Sequence, residues 1–325
     1  SENHGSETSG RYRFGLQGSF ENLTKSGDRL NLGLTLSNKD LHNYSLSYSH
    51  PVGADGTTLG IGVSRMDYEL SGAFRTLGAE GTADTLSLFG TTPLWRTSQS
   101  SLAVTYGWDW RRLKDEYKKI GMELEKHSST FHLGIKGAER QYRTSWSYDL
   151  TGYCGHLGAD SDWARRQMKR AGTEGSFTKA VLNLNLRHEI SDRWNISLKA
   201  QAQKAGTNLD SSEEIYLGGA NGVRAYPQGE ASGDNGYLTN LELSYRTDVP
   251  NLVLSTYFDM GRVQYANDGK DGSETLKGWG IGVTYSRPGD YFLRLDWARR
   301  IGLAEKASDE AKAKNRLWFM VGKVW

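Results

Sequence analysis

The chain has 325 residues, a net charge of +2 and only 37% hydrophobic residues, yet it carries 10 Trp, 17 Tyr and 39 Gly against 5 Pro. So many aromatics exclude a disordered chain, the balanced charge gives no basis for nucleic-acid binding, and a lone cysteine, Cys154, excludes a disulfide framework or a cysteine zinc site. The longest strictly apolar run, Leu317 to Val321, is too short for a transmembrane helix or a secretory signal. A mean hydropathy of -0.63 speaks against a large apolar interior, so residues 1–325 read as one repetitive domain.

From Arg11 onward the chain alternates. Tyr12, Phe14, Leu16 and Phe20 interleave with Arg11, Arg13, Gln17 and Ser19, and Leu30, Leu32, Leu34 and Leu36 with Arg29, Asn31, Gly33 and Thr35. Leu102, Val104, Tyr106, Trp108 and Trp110 alternate with Ala103, Thr105, Gly107, Asp109 and Arg111, and the pattern returns at 180–186, 196–202, 279–285 and 291–297. A period of two places one set on each face of a strand. A soluble sandwich has the same period, but runs of about ten residues with aromatics near their ends suit strands that cross a bilayer at a tilt. The fold class expected is therefore all-β, a transmembrane antiparallel β-barrel with apolar residues facing lipid and polar residues facing an aqueous lumen.

About fifteen strands are predicted, as in barrels of this size, at 11–20, 28–37, 41–50, 57–70, 82–92, 99–113, 123–136, 140–151, 176–188, 193–205, 237–247, 252–262, 276–286, 290–301 and 316–325. Short links alternate with long ones at 71–81, 114–122, 152–175, 206–236, 263–275 and 302–315, as periplasmic turns alternate with outer loops. With both termini periplasmic the strand number must be even. One strand is therefore expected ahead of Ser1 in a sixteen-stranded architecture, with SENHGSETSG as the first outer hairpin loop.

The most specific segment is LGGANGVRAYPQGEASGDNGY, residues 217–237, in and just after the longest link. Gly218, Gly219, Gly222, Val223, Arg224 and Tyr226, followed by Gly233 and Asp234, form one motif; Tyr257, Asp259 and Gly261 form a second on the strand predicted at 252–262, the thirteenth once the strand expected ahead of Ser1 is counted. Phe319, Val321 and Trp325 end the chain on an aromatic. On these residues the chain resembles the superfamily of outer-membrane insertases and two-partner secretion transporters. GSETSGRYR, SHPVGADGTTL and TTPLWRTS bring it nearer the transporter branch. Two departures are Tyr257, where the family usually has Phe, and Ala225, where it usually has Gly. A left-handed backbone would cost Ala more than Gly, so a slightly different loop tip is expected.

The resemblance implies that loop 206–236 is the sixth extracellular loop, folded into the lumen, with Arg224 paired to Asp259 as a conformational lock. Because a polar lumen is wet, the pair is expected to be hydrated and intermediate in strength between exposed and buried bridges. The resemblance also implies a bacterial outer-membrane location and export of a large unfolded exoprotein. Recognition of that partner falls to polypeptide-transport-associated domains, which are not found in this sequence. Phe319, Val321 and Trp325 would serve as the signal read by the barrel assembly machinery. An insertase and a general diffusion porin are the alternatives, and a porin has no need of the loop–wall motif pair.

Other signals are weaker. Gly60-Ile61-Gly62 and Gly278-Trp279-Gly280-Ile281-Gly282 lack the strand–turn–helix setting of a dinucleotide fingerprint and read as lumenal glycines. The histidines show no ligand spacing and no signature unites a nucleophile with a base, so neither a metal, a cofactor nor an enzyme activity is expected. The basic run 163–170 reads as an outer-loop segment, either solvated or touching lipopolysaccharide. Beside it, Asp160 and Asp162 give only thin grounds for calcium, and Cys154 reads as a bystander in the same loop.

Overall fold

A computed structural model describes residues 1–6, 9–39, 41–69 and 79–325. In chain order the strands are β1 (Arg13–Glu21), β2 (Arg29–Ser37), β3 (His42–Val52), β4 (Thr57–Glu69), β5 (Ala79–Arg96), β6 (Ser100–Tyr117), β7 (Met122–Gln141) and β8 (Thr144–Ala159). A helix, α1 (Asp162–Ala171), precedes β9 (Gly175–Glu189) and β10 (Trp194–Ala205); two short strands, β11 (Ile215–Tyr216) and β12 (Ser232–Gly233), lie in the longest link. The chain ends with β13 (Asn235–Arg246), β14 (Leu252–Gln264), β15 (Ser273–Ser286), β16 (Tyr291–Arg300) and β17 (Asn315–Lys323). All but β11 and β12 form one antiparallel sheet of 15 strands, each paired with its neighbours in the sequence.

The alternation has a direct physical cause. Directly opposed residues on antiparallel neighbours share a face, and the apolar set is the exposed one: Leu46 on β3 lies opposite Val63 on β4, which lies opposite Leu86 on β5. Phe131, Leu133 and Ile135 continue the same outer face on β7. On the inner face Ser45 and Ser47 face Ser64 and Gly62. A sheet with its apolar side out and its polar side in inverts the soluble pattern, as a lipid-embedded barrel requires. At the short-turn end aromatics pack across neighbouring strands: Trp194 tilted against Tyr245 at 4.8 Å and Tyr285 stacked on Tyr291 at 5.8 Å between ring centres. They form part of an interfacial girdle.

Residues 1–10 differ from the expected hairpin loop. Ser1 to Gly5 lie between the two edges of the sheet and pair with both. On one side Val321 N donates to Ser1 O at 2.8 Å and Asn3 N to Phe319 O at 3.2 Å. On the other, Arg13 N donates to Glu2 O at 2.8 Å and Gly5 N to Arg11 O at 3.0 Å. These residues join β17 to β1 but are a stub rather than a full strand, so no complete sixteenth strand occurs among the described residues. The last strand also stops at Lys323, short of the expected 325, leaving Trp325 exposed beyond it.

The links at the long-loop end differ most. The expected long link at 114–122 is a tight turn, because β6 and β7 run to 18 and 20 residues. Past the apolar band their outer faces become charged, with Arg112 on Glu125, Lys114 on Glu123, and Lys118 on Glu80 from β5. The expected link at 71–81 is partly strand β5, and its residues 71–78 lie outside the described residues. The basic run 163–170 is not an irregular loop but the body of α1. Ser161 caps its first turn, Asp162 opens it, and Gly172 closes it in a left-handed conformation at φ 66°. Met168 of α1 packs with Leu157, Phe177, Ala205 and Leu209, so the helix lies over the lumenal side of the rim. Cys154 belongs to β8 rather than to a loop, and Asp160 accepts from His127 Nδ1 at 2.8 Å.

Candidate functional site

The site is built on five adjacent strand faces and one loop. Register places Asn240 and Glu242 of β13 opposite Asp259 and Tyr257 of β14, which lie opposite Gly278 and Gly280 of β15. Arg294 and Asp296 of β16 and Trp318 of β17 continue that inner face. Three glycines on β15 carry no side chain into the lumen, and the space is used. A Cβ at Gly280 would come within 2.5 Å of the Tyr257 ring, and one at Gly278 within 2.5 Å of Ala225 Cβ. The GWGIG segment is thus the recess that receives the loop tip.

Loop 206–236 crosses into that recess. Arg224 Nε donates to Asp259 Oδ2 at 2.9 Å and Nη2 to Oδ1 at 2.8 Å, a bidentate pair, and the Arg224 backbone N–H adds a third bond to Oδ2 at 3.1 Å. Nη1 reaches Glu242 Oε2 at 2.9 Å, and the guanidinium lies 3.2 Å from the centre of the Tyr257 ring. Asn240 Nδ2 donates to both Asp259 Oδ1 and Gly222 O at 2.8 Å, and Trp318 Nε1 donates to Arg224 O at 2.7 Å. Arg294 neutralises the remaining carboxylates, with Nε 2.7 Å from Asp296 and Nη2 3.2 Å from Glu242. Burial alone would weaken the charge on Arg224; its bonds to Asp259 and Glu242 more than offset this and hold the guanidinium protonated.

Asp259 is 0% and Arg224 6% exposed, so the hydrated pair expected from a wet lumen is instead enclosed by the tip. Val223, Ala225 and Tyr226 join Leu217, Tyr257, Leu276 and Ala298 in an apolar cluster around the ion pair. Ala225 is not among the residues with positive φ, so the expected strain does not arise; Gly219, at φ 122°, takes the conformation that favours glycine. Gly233 lies in β12, Asp234 accepts from Asn267 N at 2.8 Å, and Gly261 leaves room for Leu217, whose Cδ2 a Cβ there would approach at 2.7 Å. Phe319 and Val321 project from the outer face of β17, away from this site.

The residues missed in the sequence are Asn240, Glu242, Arg294 and Trp318. Each is one polar or aromatic residue among many on an inner strand face, and only the register of five strands, β13 to β17, brings them to one arginine. Tyr257 keeps the ring of the usual Phe and adds a bond from its hydroxyl to Trp297 O at 3.3 Å.

The fold and the site thus define an outer-membrane β-barrel whose longest loop is drawn into the lumen and pinned to the wall by an arginine. The chain belongs to the haemolysin secretion/activation protein family ShlB/FhaC/HecB, which it matches over residues 1–285. It is 26% identical over 337 residues to the heme/hemopexin transporter protein HuxB of Haemophilus influenzae, covering 100% of this chain and 59% of that protein. Among solved structures, CdiB from Escherichia coli superposes with a TM-score of 0.82 at 21% identity, over 98% of this chain and 61% of that one. BamA from Haemophilus ducreyi superposes at 0.66 with 14% identity, over 99% and 69%. These likenesses extend the β-barrel fold to the whole chain, which spans about three fifths of the relatives' length.

Proposed function

We propose that this barrel is an outer-membrane pore that exports a large, unfolded partner exoprotein, with loop 206–236 as its gate. The observation that carries the reading is the enclosed Arg224–Asp259 pair. A porin has no use for a loop latched to one wall by a bidentate, desolvated arginine, whereas a pore that passes a wide substrate occasionally needs a closed state. HuxB is a transporter by name, and the polar inner face gives an extended polypeptide water and hydrogen-bonding partners throughout. Transport rather than catalysis is the role that this arrangement serves. Phe319, Val321 and Trp325 are the residues we assign to recognition by the barrel assembly machinery, and lipopolysaccharide surrounds the charged outer faces of β5 to β7.

The test is secretion of a large exoprotein encoded beside this chain, scored in culture medium with and without it. Retention of the exoprotein in the periplasm on deletion supports the reading. Undiminished secretion, with loss of other outer-membrane proteins, replaces it with the insertase.

A further inference from the structure

The loop is attached at a second place, on strands β6, β7 and β9, which precede β13 in the sheet. After β10 the chain makes a 3-10 turn over Ser211–Glu213. There Asp210 meets Lys126 of β7 at 2.8 Å, and Glu213 meets Lys179 of β9 at 2.8 Å and Arg111 of β6 at 3.3 Å. Lys179 Nζ and Gln203 Nε2 also donate to Glu213 O, at 2.8 and 3.0 Å. The same Gln203 amide reaches Asp234 O at 3.1 Å, and β11 pairs with β12, so both legs of the loop are tied at one base. Leu209 is packed beside Met168 of α1, which closes the base from above.

We propose that Asp210 and Glu213 are positioning residues of the closed pore: clamped by Lys126, Lys179 and Arg111, they fix the loop's root on β6, β7 and β9 and so aim Arg224 at Asp259 on β14. Two observations require such a root. A loop running from Ala205 to Asn235 is free to extend outward, and an unrooted tip would have to find its recess from that wide ensemble; loop-closure entropy opposes this and a fixed base shortens the loop to residues 217–231. The acid and base groups of the root are also mostly desolvated, and charges so placed are retained where they fix one geometry among several. The root sits on strands that carry none of the residues around Arg224, so the two attachments are separable by mutation.

The inference rests on reading the loop as a gate, but its test needs no exported partner. The whole chain is purified and recorded in planar bilayers as Asp210→Lys, Lys126→Asp and the two together, with Glu213→Gln as a milder lesion. Each single reversal is expected to raise the open fraction about tenfold, the ratio that ~1.4 kcal/mol represents. The exchanged pair is expected to return to within about threefold of the parent, a rescue that loss of packing alone does not give. In a Cys154→Ser background, a thiol placed at the buried Ala225 should label about tenfold faster when the root is broken. Heat-modifiable migration in detergent gels confirms assembly of each variant. Single reversals as quiet as the parent, or a thiol at 225 that stays protected in them, overturn the proposal. So does an exchanged pair as open as the single reversals. Failure of export with these readouts intact would count against the transport reading alone.

Discussion

Replacing Arg224 by alanine removes the centre of the lock, and its cost follows from what is left behind. Asp259 loses two guanidinium bonds but keeps the Asn240 amide and the backbone N–H at 224, while Glu242 and Asp296 keep Arg294. Breaking a buried pair costs about 3–5 kcal/mol; because no carboxylate is wholly stranded, the lower end applies. About 3 kcal/mol shifts the closed–open balance of the loop by roughly 150-fold, but the strand ladder that holds the barrel is untouched. Arg224→Ala should therefore assemble, migrate heat-modifiably in detergent gels, show frequent openings in planar bilayers and secrete poorly. Asp259→Asn should match it, and the double variant should be no worse than the worse single. A double variant whose effects add, or an Arg224→Ala pore as quiet as the parent, would refute the reasoning.

Gly280→Ala should act like a weaker lock lesion. The new methyl needs the space of the Tyr257 ring, overpacking costs about 1–3 kcal/mol, and bilayer openings should rise accordingly. Tyr257→Phe should leave gating within about threefold of the parent, since the ring under Arg224 is kept and only the 3.3 Å hydroxyl bond is lost, whereas Tyr257→Leu should open the pore in the same recordings. Leu184→Arg or Leu32→Arg on the lipid face should cost about 2–4 kcal/mol at mid-bilayer, read as lowered midpoints in urea-induced unfolding from lipid vesicles. For Asp210, burial works to raise the carboxyl's pKa, but Lys126 and Ser212 prevail and hold it below the ordinary value. A carboxylate depressed in this way contributes above its ordinary value and is lost as pH falls through the depressed one. Openings traceable to the root should thus be constant between about pH 8 and 5 and grow only under stronger acid.

Where lipid touches the barrel, the alternation was plain, because an apolar residue at every second position is the only way to face hydrocarbon. Every principal strand was placed from it. The outer ends at 114–117 of β6 and 152–159 of β8 were not, since past the bilayer the outward face carries residues such as Lys114 and His156 and the contrast between faces disappears. Helix α1 was hidden by its charge, although Ser161, Asp162 and Gly172 carried start and stop signals that could have been read. In the site, Arg224 and Asp259 stood out through motifs. Glu242, Arg294, Lys126 and Glu213 did not, because the contacts Glu242–Arg294, Lys126–Asp210 and Glu213–Arg111 span 52, 84 and 102 residues of sequence through register that no local pattern records.

The unequal strands have a consequence for whatever leaves the pore. β7 has 20 residues, about twice the ten that cross a bilayer at a tilt, while β1, β2 and β17 have 9 each. The rim is a parapet on one side and a low sill on the other. On the export reading proposed above, an emerging chain would be walled off on the β5–β8 side and not over β1, β2 and β17, so its first folded segment would form on the sill side, displaced from the barrel axis. The direction in which that segment leaves would then be set by strand lengths alone, without any residue that binds it.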